Sequence, residues 1–123
     1  MRRYALQDLR SQDVTQLLIL IPEVISQMED LLIGEDLRIL EWMSAEIKII
    51  RIGNITLKMG DDDLMNVPKR HQKQLAKQFD ELVLIWTQLF PIIDQEWKMG
   101  PIRRYKGAHQ AIKLLKQQQK LLT

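Results

Sequence analysis

At 123 residues, 46% hydrophobic and 28% charged, the chain has the composition of one folded domain that buries roughly two-thirds of its unfolded surface, far from the regime of disorder. The absence of cysteine excludes a disulfide framework, a zinc knuckle and a thiol nucleophile. A net charge of +2 hides an uneven distribution: residues 98–123 hold seven cations and no carboxylate, whereas the 97 residues before them hold 11 cations against 16 acids.

A helix is expected from Ser11 to Ile33, because Val14, Leu18, Ile21, Ile25, Met28 and Leu32 recur at alternating spacings of four and three. Ser11 or Asp13 suits its start and Gly34 its end. Pro22 removes a backbone bond at a cost of about 3 kcal/mol. The stripe keeps its phase across Pro22, which predicts one kinked helix rather than two.

Glu35 and Asp36 open a second helical segment with Leu37, Leu40, Met43 and Ile47 as the expected buried side and Trp42 near its edge. The next stretch predicts a β-hairpin at 49–58 around Gly53 and Asn54, a pair suited to a two-residue turn. Pairing Ile52 with Ile55 and Ile50 with Leu57 would gather those four side chains on one face, opposite Arg51 and Thr56. The competing reading extends the helix to Ile52 with Gly53 as its C-cap. Gly60 to Asp63 reads as a turn, with Asp63 or Asn66 capping the third helix. The acidic triplet lacks the alternate-position ligands and distal glutamate of a calcium loop, so no metal is expected.

Pro68 suits the start of that third helix. Leu75, Phe79, Leu82, Trp86, Leu89, Ile93 and Trp97 then alternate by four and three, the strongest pattern in the chain and the expected core seam of a bundle. Pro91 lies inside this register, as Pro22 does in the first. Gly100 and Pro101 interrupt the chain. Beyond Gly107 a basic amphipathic helix places Ala108, Ile112, Leu115 and Leu122 on one side and Lys113, Lys116 and Lys120 elsewhere. The expected fold is therefore mainly α: a single domain over 1–123, a bundle of about four helices, two of them long and proline-kinked, with a small hairpin near 49–58 and a basic segment at 98–123.

Enzyme chemistry finds no constellation here. Neither His71 nor His109 has a carboxylate at helical contact spacing, the Glu-x-x-His pair of di-iron bundles is absent, and no glycine-rich phosphate loop occurs. Neither catalysis nor a cofactor is expected. Arg103, Arg104, Tyr105 and Lys106 precede the last helix, where guanidinium groups and free amides could meet phosphate, and Lys113 and Lys116 lie beyond them. A second cluster, Lys69, Arg70, Lys73 and Lys77, opens the third helix. Both clusters also fit an ordinary solvated face, or docking of the basic segment on the acidic body of the same or a second copy.

Two functions emerge as expectations. The first is a non-enzymatic interaction or regulatory module that presents helical surface to a protein partner or to itself; the alternative is a nucleic-acid binder that contacts phosphates through the two cationic clusters. No apolar run approaches the roughly 20 residues of a spanning helix, and Asp8 and Asp13 precede the run Leu17 to Ile21, which does not suit a secretory leader. A cytoplasmic protein without a membrane partner is expected.

Overall fold

The computed structural model of the chain describes residues 2–34, 39–97 and 103–123, with side chains over 12–34, 39–95 and 107–123. Four helices account for it: α1 (Arg2–Ile33), α2 (Ile39–Met65), α3 (Lys69–Trp97) and α4 (Arg103–Leu122). Helix α1 packs against α2 and α3, and α4 also packs against α2 and α3, which closes a ring in the order α1, α2, α4, α3. Lys48 pairs with Glu23 at 2.7 Å and Lys58 approaches Asp13 at 4.0 Å, so α1 and α2 run antiparallel. Ile50 faces Gly107, Gly53 faces Ala111 and Thr56 meets Gln118, so α2 and α4 run parallel. Residues 98–102 reach at most about 17 Å, too little for adjacent helices α3 and α4 to run any way but antiparallel.

That ring leaves α2 and α3 diagonally opposite although only residues 66–68 separate them. Gly60 makes the connection workable. Its backbone, at φ 74° and ψ 169°, breaks the line of α2, and the turn beyond it carries Leu64 and Val67 into the core on the way to α3. Such a backbone is essentially restricted to glycine, since a Cβ would be strained there. Gln72 fastens the corner, its side-chain amide donating to the Met65 and Val67 carbonyls at 2.7 Å each. The Pro68 carbonyl accepts from the His71 and Gln72 amides and so starts α3.

The core is built from a heptad-like stripe on each helix. Leu17, Ile21 and Met28 of α1 meet Trp42, Ile49 and Ile52 of α2, Leu75, Phe79, Leu82, Leu89 and Ile93 of α3, and Ala108 and Leu115 of α4. Trp86 joins them at 4% exposure; the Trp97 side chain lies outside the described residues. Trp42 stacks on Trp86 at 5.3 Å and 24°, across the middle of the ring, and Trp86 on Phe90 at 5.1 Å and 15°. Such pairs add about 0.5–1.5 kcal/mol each beyond burial. Pro22 and Pro91 occupy exposed positions inside helices that continue on both sides of them.

Three expectations are corrected. No strand occurs among the described residues: 49–58 is the middle of α2, neither a hairpin nor a helix capped at Gly53. The reason is tertiary. Ile49, Ile52, Thr56 and Met59 are buried at helical spacing, while Leu57, expected to share a hairpin face with Ile52 and Ile55, stands 67% exposed. Helix α1 begins at Arg2, so Ser11 and Asp13 are interior positions rather than caps. The buried side of α2 is Trp42, Ala45, Ile49 and Ile52; Leu40 and Ile47 are exposed, Met43 is half-buried, and Glu35 to Leu37 lie outside the described residues.

No helix among the described residues is long and apolar enough to cross a membrane. No group of three or more metal-binding side chains gathers among them either.

Candidate functional site

Helix α4 has two exposed flanks of opposite chemistry, and the candidate site is built on them. Toward α2, the backbones come unusually close. A Cβ placed on Gly53 would fall 2.6 Å from the Ala111 Cβ and 3.1 Å from its Cα, and one on Gly107 would fall 3.3 Å from Ile50 Cδ1. Glycine at 53 is therefore a packing requirement inside a helix, accepted against a propensity cost of about 1 kcal/mol. Below this contact the Gln118 amide donates to the Thr56 carbonyl at 3.3 Å, and the Thr56 hydroxyl to the Gly53 carbonyl at 3.0 Å, all buried. The first of these bonds joins α4 to α2, and the second lies within α2.

The outer surface of that pair is a shallow groove of about 270 Å3, lined by Ile50, Gly53, Asn54, Leu57, Gly107, Gln110, Ala111 and Leu114. None of these is charged. Met43 and Ile47 continue the α2 stripe one way, and Gln117 and Leu121 continue the α4 stripe the other, at spacings of three and four. Ile47 is 58% exposed and Leu121 42%. Helix α2 thus carries a stripe of apolar residues on its outer face, Ile47, Ile50 and Leu57, as well as on its inner one.

Toward α3, the flank is aromatic and cationic. A groove of about 300 Å3 is lined by Trp86, Thr87, Phe90, Pro91, His109, Ile112, Lys113 and Lys116. His109 stands edge-on to Phe90 at 4.4 Å and 78° and to Trp86 at 5.4 Å and 89°. Lys113, Lys116 and Lys120 are exposed and form no ion pair with a described carboxylate.

The cations singled out in the sequence are divided by the fold. Lys69, Arg70, Lys73 and Lys77 are exposed on the first turns of α3, with Lys77 4.0 Å from Glu81. Arg103, Arg104, Tyr105 and Lys106 form the first turn of α4, and their side chains lie outside the described residues. Because α3 and α4 are antiparallel, the two clusters sit toward opposite ends of the bundle, roughly 35 Å apart at a rise of about 1.5 Å per residue. Lys113 and Lys116 lie between them. His71 and His109 form no ion pair with a described carboxylate.

Sequence reasoning missed Trp42, Thr56, Gln118 and the outward stripe of α2. The spacing of Trp42, Ala45, Ile49, Ile52, Thr56 and Met59, alternating three and four, carried the signal. No protein-family model matches this chain, nor does any curated protein or solved structure.

Proposed function

We propose that the chain is a non-enzymatic interaction module that pairs with a second copy of itself through the face shared by α2 and α4. The observation that carries this reading is the uncharged groove lined by Ile50, Asn54, Leu57, Gly107, Gln110 and Leu114, which exposed Ile47 on α2 and Leu121 on α4 extend. Loss of charge at the centre is what distinguishes the core of an interface from ordinary surface. At about 1.5 Å rise per residue and about 10 Å helix width, this face measures roughly 25 by 20 Å, or about 500 Å2. That approaches the roughly 600 Å2 per partner at the lower end of stable interfaces.

A second copy fits as the occupant because a two-fold axis along the helices lays α2 of each copy over α4 of the other, so that each uncharged stripe covers its counterpart. The test is sedimentation equilibrium of the full chain at micromolar concentration. A dimer is expected, and Leu57→Glu is expected to dissociate it while leaving the helical circular dichroism intact, because Leu57 is exposed. A monomer throughout the range, or a dimer indifferent to Leu57→Glu, overturns the reading.

A further inference from the structure

We infer that the exposed face of α4 binds the phosphate backbone of a nucleic-acid duplex, with Lys113, Lys116 and Lys120 each set against a phosphate. This goes beyond self-association and does not rest on it. In 20 residues α4 holds six cations and no acid, and its three lysines beyond Gly107 are exposed in a row roughly 10 Å long. The grooves on both sides of the helix add no carboxylate, since the α2 and α3 residues that line them are all uncharged. The row is therefore of one sign throughout, whereas the groove between α1 and α3 carries both, with Lys77 4.0 Å from Glu81.

Helix stability does not account for such a row. Lys116 stands three residues from Lys113 and four from Lys120, spacings at which like charges weaken a helix. Arg103, Arg104 and Lys106 in the first turn sit at the positive end of the helix dipole, which is unfavourable again. An anionic partner turns each of these penalties into attraction. The form of the charge names the partner: a single-sign row on a rigid helix matches a rigid anion that repeats its charge, and a duplex carries one phosphate per about 1.7 Å of axis. A single strand draws affinity from rings with open faces, whereas Trp86, Phe90 and His109 are engaged with one another. Lysine contacts to phosphate read no sequence, so the binding is sequence-independent.

The experiment is a fluorescence-anisotropy titration of the full chain with a short labelled DNA duplex at low and moderate salt. Binding is expected at low salt, equal for two unrelated sequences. The triple substitution Lys113→Gln, Lys116→Gln and Lys120→Gln, at exposed sites, should leave the helical circular dichroism unchanged. It should weaken binding at least tenfold and flatten the log-log salt slope by about 2.7, the contribution of three duplex phosphates. Lys58→Gln, which removes an exposed charge beside Asp13 of α1, should change neither. The same differences are expected in the Leu57→Glu background, which separates this proposal from self-association. Absence of binding at low salt, an unchanged slope in the triple variant, or an equal loss from Lys58→Gln would overturn it. So would equal affinity for a single strand at equal nucleotide concentration, displacement by polyglutamate at equal charge, or tighter binding to phosphatidylserine vesicles, which would make a strand, an acidic protein segment or a membrane the partner.

Discussion

The two flanks of α4 show how side-chain size sets what a helix pair can offer. Against α2, Gly53, Gly107 and Ala111 let the backbones meet, and the seam closes into a shallow apolar surface. Against α3, Trp86, Phe90 and His109 fill the space with rings that touch one another, and a groove runs alongside them. Small residues on one side and large ones on the other give a single helix a flat face and a recess. The flat face carries no charge and the recess is rimmed with lysine, so the flanks differ in chemistry as well as in shape.

The comparison can be broken hardest from the aromatic side. Trp86→Ala removes the ring that links Trp42, Phe90 and His109, and is expected to cost about 3–5 kcal/mol of unfolding free energy in a chemical denaturation series. An effect below about 1 kcal/mol, the scale of an exposed aromatic contact, would mean that the stack holds nothing together. On the opposite flank, Gly53→Ala gains about 1 kcal/mol of helix propensity but sets a methyl 2.6 Å from Ala111 Cβ. Overpacking of this kind costs about 1–3 kcal/mol, and since both clashing atoms are fixed to backbone the net change is expected to be destabilising. A stabilised Gly53→Ala would show that α2 and α4 are not in close contact. The smallest expected change is Gln118→Leu, which loses a 3.3 Å bond to the Thr56 carbonyl at a cost of about 1 kcal/mol, partly offset by apolar burial. A Gln118→Leu protein much less stable than this would give the bond a larger role in register than its length suggests.

Legibility from sequence divides along the same line. Helix α3 is plain because large apolar residues stand at one period against a polar background, so Leu75 to Ile93 reads as one stripe. Helix α4 is equally plain at Ala108, Ile112, Leu115 and Leu122, all buried. Helix α2 misleads for a physical reason. It carries apolar residues on the core side and on the outer face, so a second stripe overlies its helical period and the isoleucines from Ile47 to Ile55 imitate strands. Gly53 beside Asn54 then imitates a turn, whereas its purpose is set by Ala111, 58 positions away, which no local signal can report. The outward stripe and the recess were both hidden because each depends on which helix lies alongside, and α2 beside α4, with α3 diagonally across, is an order that loop lengths alone do not foretell. Basic residues were legible as clusters; their separation along the bundle was not.

The close fit of α2 to α4 bears on how the molecule assembles as it is made. While a ribosome is still adding α3, the flank of α2 around Gly53 lacks the helix it packs on, because α4 is made after α3. The contact of Gly53 with Ala111 must then wait for α4, and until it forms the nascent chain displays that flank together with the outward stripe. A chaperone that recognises extended apolar sequence would find its best foothold in that interval.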